Sequence, residues 1–150
     1  MRPRTDRNEL EKYHEGLIVC SACIGGEVPK KILNDQLEDA EEAVRWYKNL
    51  FGEDYYLELQ RHKATVPRAN HEAYPLQQRA NAKLIEFAKK YNIKLICSND
   101  VHFVNEEHAE AHDRLICLST GKDLDDPKRM LYTKPVSYTH LRAHETRRHL

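Results

Sequence analysis

An α/β fold built on a parallel sheet is predicted for this chain by three observations. Short apolar runs alternate with longer amphipathic stretches three times in succession, each run is too brief to be a helix, and glycines close two of the long stretches. Alternation of that kind implies parallel strands joined by right-handed helical crossovers. Three strands do not close a barrel. The pattern therefore fits a slice of a larger α/β barrel or a small open sheet, and the lack of any further strand pattern favours the slice.

The elements follow in order. Thr5 to Tyr13 carries a cap-like Thr5 and charged residues and stops before Gly16, the outline of a short helix. Leu17 to Cys20 is a continuous apolar run of the sort buried on both faces of a parallel sheet, ended by Gly25 and Gly26. From Val28 to Phe51 the pattern is helical, with Asp35 as cap for its long piece. There Leu37, Ala40, Val44, Tyr47 and Leu50 fall at three- and four-residue steps, and Gly52 closes the helix. Tyr55 to Leu59 is the second strand. A polar loop leads to a helix from His71 to Tyr91, with Pro75 in or before its first turn and Leu76, Ala80, Leu84, Phe87 and Ala88 facing inward. Lys94 to Cys97 forms the third strand. Asn105 is then placed to cap a helix from about Glu106 to Leu118, ending near Gly121.

At 150 residues the chain is one domain or part of one. Lys plus Arg equals Asp plus Glu at 24 each, so no net field draws the whole chain onto nucleic acid or anionic lipid, and any contact with DNA must come from local groups. No apolar run is long enough to cross a membrane and MRPRTDRNEL lacks the apolar stretch of a signal peptide, which leaves the cytoplasm as the expected location. Cys20 and Cys23 form a CxxC pair, but it lies in and just after an apolar run instead of opening a helix, which argues against a redox motif. Cys20, Cys97 and Cys117 lie within apolar segments and are expected in the core. The final stretch PVSYTHLRAHETRRHL changes character and resembles translated adapter sequence, so residues 135–150 are set apart from 1–134 as a non-native, disordered tail despite His140, His144 and His149.

Chemistry gathers at the C-terminal ends of the three strands, the face on which α/β barrels build active sites. In SNDVHF, residues two apart in extended backbone point the same way, so Asp100 and His102 can address one metal ion. Cys23 follows the first strand. Glu58, Gln60 and His62 alternate to one side of the second. Taken singly each has a plainer explanation: Cys23 as a small buried residue, Asp100 and His102 as a chance DxH, Glu58 and His62 as satisfied loop residues. Their shared placement is what points to metal-assisted hydrolysis of a phosphodiester, which needs such ligands together on one face. Glu58, Gln60 and His62 are candidates to support the ligands from behind. His108 and His112 stand four apart on a helix, but no HExxH surrounds them, and a helix surface is expected.

Four blocks, HEGLIVCSACIGGEV, YYLELQRH, IKLICSNDVHFVNEEHAEAHDRLICLSTG and LDDPKRMLYT, resemble in sequence and order the PHP domain of bacterial DNA polymerase III alpha subunits, from about Thr5 to Thr133. AHDRLICLSTG followed by LDDPKR fits that family better than stand-alone PHP phosphatases of the histidinol phosphatase kind. The resemblance implies the later part of a distorted, TIM-like seven-stranded β/α barrel holding up to three zinc or manganese ions, with 3′–5′ exonuclease activity where all ligands are kept. Cys23 matches the family's cysteine ligand, and Asp100 and His102 match the two ligands of its NDxH block. Ala22 stands where the family usually has glycine, a change expected not to touch coordination. The family's HxH motif and its further Asp, His and Glu ligands lie upstream of these blocks, so Met1 is expected to be a fragment start. The polymerase aspartates are likewise missing from these residues. The partners implied are primer-template DNA, other replicase subunits and a separate proofreading exonuclease. Two roles follow: a metal-dependent phosphoesterase, or a scaffold bracing the polymerase core.

Overall fold

The computed structural model describes residues 4–62 and 73–129. The 135–150 tail and most of the polar loop after the second strand therefore lie outside the described residues. Three strands, β1 (Val19–Cys20), β2 (Tyr55–Gln60) and β3 (Lys94–Ser98), form one parallel sheet in the order β1-β2-β3. Helices α1 (Arg7–Tyr13), α2 (Glu27–Leu33), α3 (Leu37–Phe51), α4 (Tyr74–Tyr91) and α5 (Ala109–Thr120) stand before, between and after the strands. The predicted α/β alternation is thus present.

The described residues divide into two compact units. The first takes the chain up to Leu59 together with Ala80–Ile96, and the second takes Gln60–Arg79 and the residues from Cys97 onward. Almost the whole hydrophobic core belongs to the first. Val28 and Ile32 of α2, Ala40, Ala43, Val44 and Phe51 of α3, Tyr55, Leu57 and Leu59 of β2, and Leu84, Phe87 and Ala88 of α4 make one cluster, completed by Ile93. Burying such side chains is the main source of stability, at about 1.5–3 kcal/mol for each large one.

Local chemistry explains the boundaries, with several corrections. Asp6 caps α1, its Oδ1 accepting from the Glu9 amide at 3.0 Å, where Thr5 was expected to act. The helical stretch from Val28 to Phe51 is divided near Asp35 into α2 and the long α3. Asp35 caps neither as an N-terminal residue; its φ of +61° puts it in the left-handed region at the end of α2. The Gln36 amide reaches back to the Lys31 carbonyl at 2.9 Å and the Asp35 amide to Ile32 at 3.1 Å, closing that end as a left-handed C-terminal motif does. Gly52 and Gly121 end α3 and α5 as expected. Asn105 does not cap α5 directly: a 3-10 turn, Glu106–His108, comes between, its last amide bonded to the Asn105 carbonyl at 3.0 Å.

The expectation of a β1 buried on both faces fails. Ile18 is 70% exposed and Leu17 is also open, because among the described residues β1 pairs with β2 alone. For the same reason Cys20 and Cys97, on the two outer strands, are exposed; only Cys117 is buried as predicted, and all four thiols are free. Leu37 and Leu76, assigned to core stripes, are exposed at the first turns of their helices. Among the described residues no helix is long and apolar enough to cross a membrane.

Candidate functional site

In the first unit the turn after β1 is wound around Cys23. Register Val19↔Tyr55 and Cys20↔Tyr56 sets β1 against β2, and the pairing continues as the Ser21 amide donates to the Tyr56 carbonyl at 3.0 Å. The buried Ser21 hydroxyl then accepts from the Glu58 amide at 2.8 Å. Ala22 follows with φ +62°, a left-handed conformation that favours glycine. The chain folds back so tightly that a Cβ on Gly26 would lie 2.2 Å from the Ser21 carbonyl oxygen, so that position requires glycine. The Gly26 amide donates to the Cys23 carbonyl at 2.8 Å and the Gly25 amide to Cys23 Sγ at 3.4 Å. The sulfur is thereby oriented by backbone. Nearby in sequence, the Cys20 thiol is pushed up by partial desolvation and by the charge of Glu58.

In the second unit the residues after β3 bring Asp100 and His102 together. His102 Nε2 lies 3.3 Å from Asp100 Oδ2, with both side chains about a third exposed. Spacing of two in extended backbone predicted this pairing. Behind the pair sits His62. Its ring Nε2 accepts from the Asp100 amide at 3.1 Å, its own amide donates to Gln77 Oε1 at 2.7 Å, and its Nδ1 faces Gln77 Nε2 at 2.9 Å. Burial pushes His62 below the usual histidine range; the Asp100 charge opposes that shift and His102 reinforces it, so the ring stands neutral at pH 7. Gln60 is buried and its amide reaches the Ser98 hydroxyl at 3.4 Å, joining the ends of β2 and β3.

Two contributors were not foreseen. Gln77, only 3% exposed, offered no sequence signal, since its partner His62 is set by the path of the chain. His112 was assigned to a helix surface with His108; His108 is exposed, whereas the His112 ring packs 5.9 Å from the His102 ring and 5.3 Å from buried Phe103. Burial, then the proximity of His102, lowers His112, with Asp113 opposing. Of the predicted site residues, the second unit therefore holds Asp100, His102, His62 and Gln60, and the first holds Cys23 and Glu58.

The donors suit a hard or borderline cation: a carboxylate oxygen and an imidazole nitrogen side by side are ligands that zinc and manganese both accept. Among the described residues no group of three or more His, Cys, Asp or Glu is gathered closely enough to hold a metal ion by itself. The geometry thus offers a supported pair of donors.

Comparison with known proteins shows what the chain is similar to. Residues 1–62 match the model of the PHP domain. The chain is 42% identical over 129 residues to a DNA polymerase III subunit alpha of Borreliella burgdorferi, which covers 86% of this chain and 10% of that protein. It is 37% identical over 128 residues to the Thermus aquaticus protein of the same name (85% and 10%), and 42% identical over 125 residues to that of Aquifex aeolicus (83% and 10%). The chain spans about a tenth of the length of these curated relatives.

Proposed function

We propose that the chain, similar over most of its length to DNA polymerase III alpha subunits and over residues 1–62 to the PHP domain, is a segment of a bacterial replicative polymerase, working in the cytoplasm on primer-template DNA with other replicase subunits. Residues 1–134 are the later part of a PHP-type barrel and residues 135–150 a foreign tail. Asp100 and His102 are metal ligands supported by Gln60 and His62 of the same unit, and Cys23 is a further ligand and Glu58 a further supporting residue. The parent is a DNA-directed DNA polymerase, and its PHP domain trims 3′ ends.

The observation that carries this reading is the Asp100–His102 pair, held at 3.3 Å at the end of β3 and backed by His62 through the Asp100 amide. A bound zinc or manganese ion would supply hydroxide near neutral pH and offset the negative charge of the phosphoryl oxygens. The chain's own part is to present the donors. Asp100 offers an anionic oxygen from a backbone whose amide is tied down, and His102 offers Nε2 with its ring packed against that of His112. Neutral His62 can hold the Asp100 amide, which a protonated ring could not accept.

A second reading keeps the domain as a scaffold that braces the polymerase core and docks a separate proofreading exonuclease. A paired assay on the purified full-length subunit, without a separate exonuclease and with manganese or zinc supplied, decides between them. Asp100→Asn keeps the side chain's size and removes its charge. Excision of a mismatched 3′ end should fall by orders of magnitude while primer extension persists. Undiminished excision in the variant, or none in the unmodified subunit, would leave the scaffold role.

A further inference from the structure

We propose that Gln77 is a positioning residue. By accepting the His62 backbone amide and standing against ring Nδ1, it holds that ring against the Asp100 amide and so sets where the Asp100 carboxylate and His102 stand. The path is continuous within the second unit. Gln77 lies in the first turn of α4, its own amide donating to the Ala73 carbonyl at 2.9 Å, so its side chain springs from a fixed helical backbone. That side chain is 3% exposed and makes both of its contacts with one residue, the His62 amide at 2.7 Å and ring Nδ1 at 2.9 Å. On the far side of the ring, Nε2 takes the Asp100 amide at 3.1 Å, and Asp100 Oδ2 meets His102 at 3.3 Å.

The proton inventory of this path singles out Gln77. Two of the donors are backbone N–H groups and leave no choice: the His62 amide requires an oxygen at Gln77, and the Asp100 amide requires a lone pair on His62 Nε2. A neutral imidazole with a lone pair on Nε2 carries its proton on Nδ1. That N–H then faces the Gln77 amide nitrogen, donor against donor, whereas the opposite tautomer sets the same conflict against the Asp100 amide. Turning the Gln77 amide over only moves the clash to the His62 backbone. An amide, with one oxygen, is one acceptor short for this grip; a carboxylate, with two, completes it. Gln77→Glu therefore gives both the His62 amide and an Nδ1–H an acceptor, so that a neutral ring keeps its proton on Nδ1 and its lone pair on Nε2.

The test uses the 150-residue chain, uniformly labelled with nitrogen-15, as unmodified protein, Gln77→Ala and Gln77→Glu. The readouts are the His62 ring-nitrogen shifts, which tell which nitrogen holds the proton, the Asp100 amide shift, and affinity for zinc chloride. Gln77→Ala should move the ring and amide signals and weaken zinc binding about 10-fold or more, the usual cost of losing support behind a ligand. Gln77→Glu should give a ring protonated at Nδ1, an Asp100 amide still bonded to Nε2, and zinc affinity equal to or above that of the unmodified chain. Unchanged Asp100 and His62 signals in Gln77→Ala would overturn the proposal. So would a neutral ring carrying its proton on Nε2 and not on Nδ1 in Gln77→Glu, which decides the matter alone if Gln77→Ala does not fold. The zinc arm rests on the ligand role of Asp100 and His102. If zinc binding is indifferent to Asp100→Ala, that ligand role fails, while the ring and amide signals still decide Gln77.

Discussion

Removing the charge of Glu27 by Glu27→Gln tests how the first helices are tied together. Glu27 Oε1 accepts from Arg7 Nη2 at 2.9 Å and from Lys31 Nζ at 2.8 Å, and Oε2 accepts from the Tyr47 hydroxyl at 3.0 Å. The carboxylate is about a third exposed, so its ion pairs are worth less than the ~1.5–3 kcal/mol of sequestered charged hydrogen bonds and more than the weakest surface pairs. An amide keeps an oxygen for Tyr47 but loses the charge seen by Arg7 and Lys31, for a total cost of about 1–2 kcal/mol, or a fall in Tm of about 2–8 °C. Burial alone would raise the Glu27 carboxyl, but hydrogen bonds from Lys31 and Tyr47 and the charges of Lys31 and Arg7 outweigh it and leave it below its ordinary 4.5. A carboxyl lowered on folding stabilises fully above its unfolded value, and that stabilisation disappears as pH falls through the lower folded value. The difference between unmodified chain and variant should therefore be complete at pH 7 and smaller at pH 3. Urea unfolding followed through Trp46, the single tryptophan, measures it, and Arg7 lies 4.7 Å over that ring to report the same region. An equal difference at both pH values, or none at pH 7, would refute the reasoning.

Other substitutions probe single positions. Ala22→Gly should raise stability by about 0.5–1 kcal/mol in thermal unfolding, because relief of a +62° φ outweighs the extra freedom gained by the unfolded chain; a loss of stability would show the strain to be absent. Tyr55→Phe should be neutral or stabilising by up to about 1 kcal/mol, since the buried hydroxyl has no hydrogen-bond partner among the described residues and the ring keeps its 5.2 Å stack on Tyr47. A destabilisation above about 1 kcal/mol would mean that the hydroxyl is bonded after all.

What the sequence by itself determined is whatever depends on neighbours along the chain. The helical stripe of α3, the two-residue alternation of β2, the glycines that end α3 and α5, and the pairing of Asp100 with His102 are all consequences of backbone period, and each was legible before any coordinates. The match to PHP domains also rests on sequence alone. Tertiary structure decided what depends on neighbours across space. Apolar runs mark β1 and β3 as strands, but whether Ile18 or Cys97 is covered depends on a flanking strand, and each outer strand has only one partner among the described residues. Asp35 reads as an N-cap from its residue type, yet it takes the left-handed turn because α2 has to end before α3 can pack on the same core. Gln77 carried no local signal, and His112 was marked only by its spacing from His108. Their partners, His62 and His102, lie fifteen and ten positions away, and only the path of the chain brings hydrogen-bonding atoms to 2.9 Å and rings to 5.9 Å.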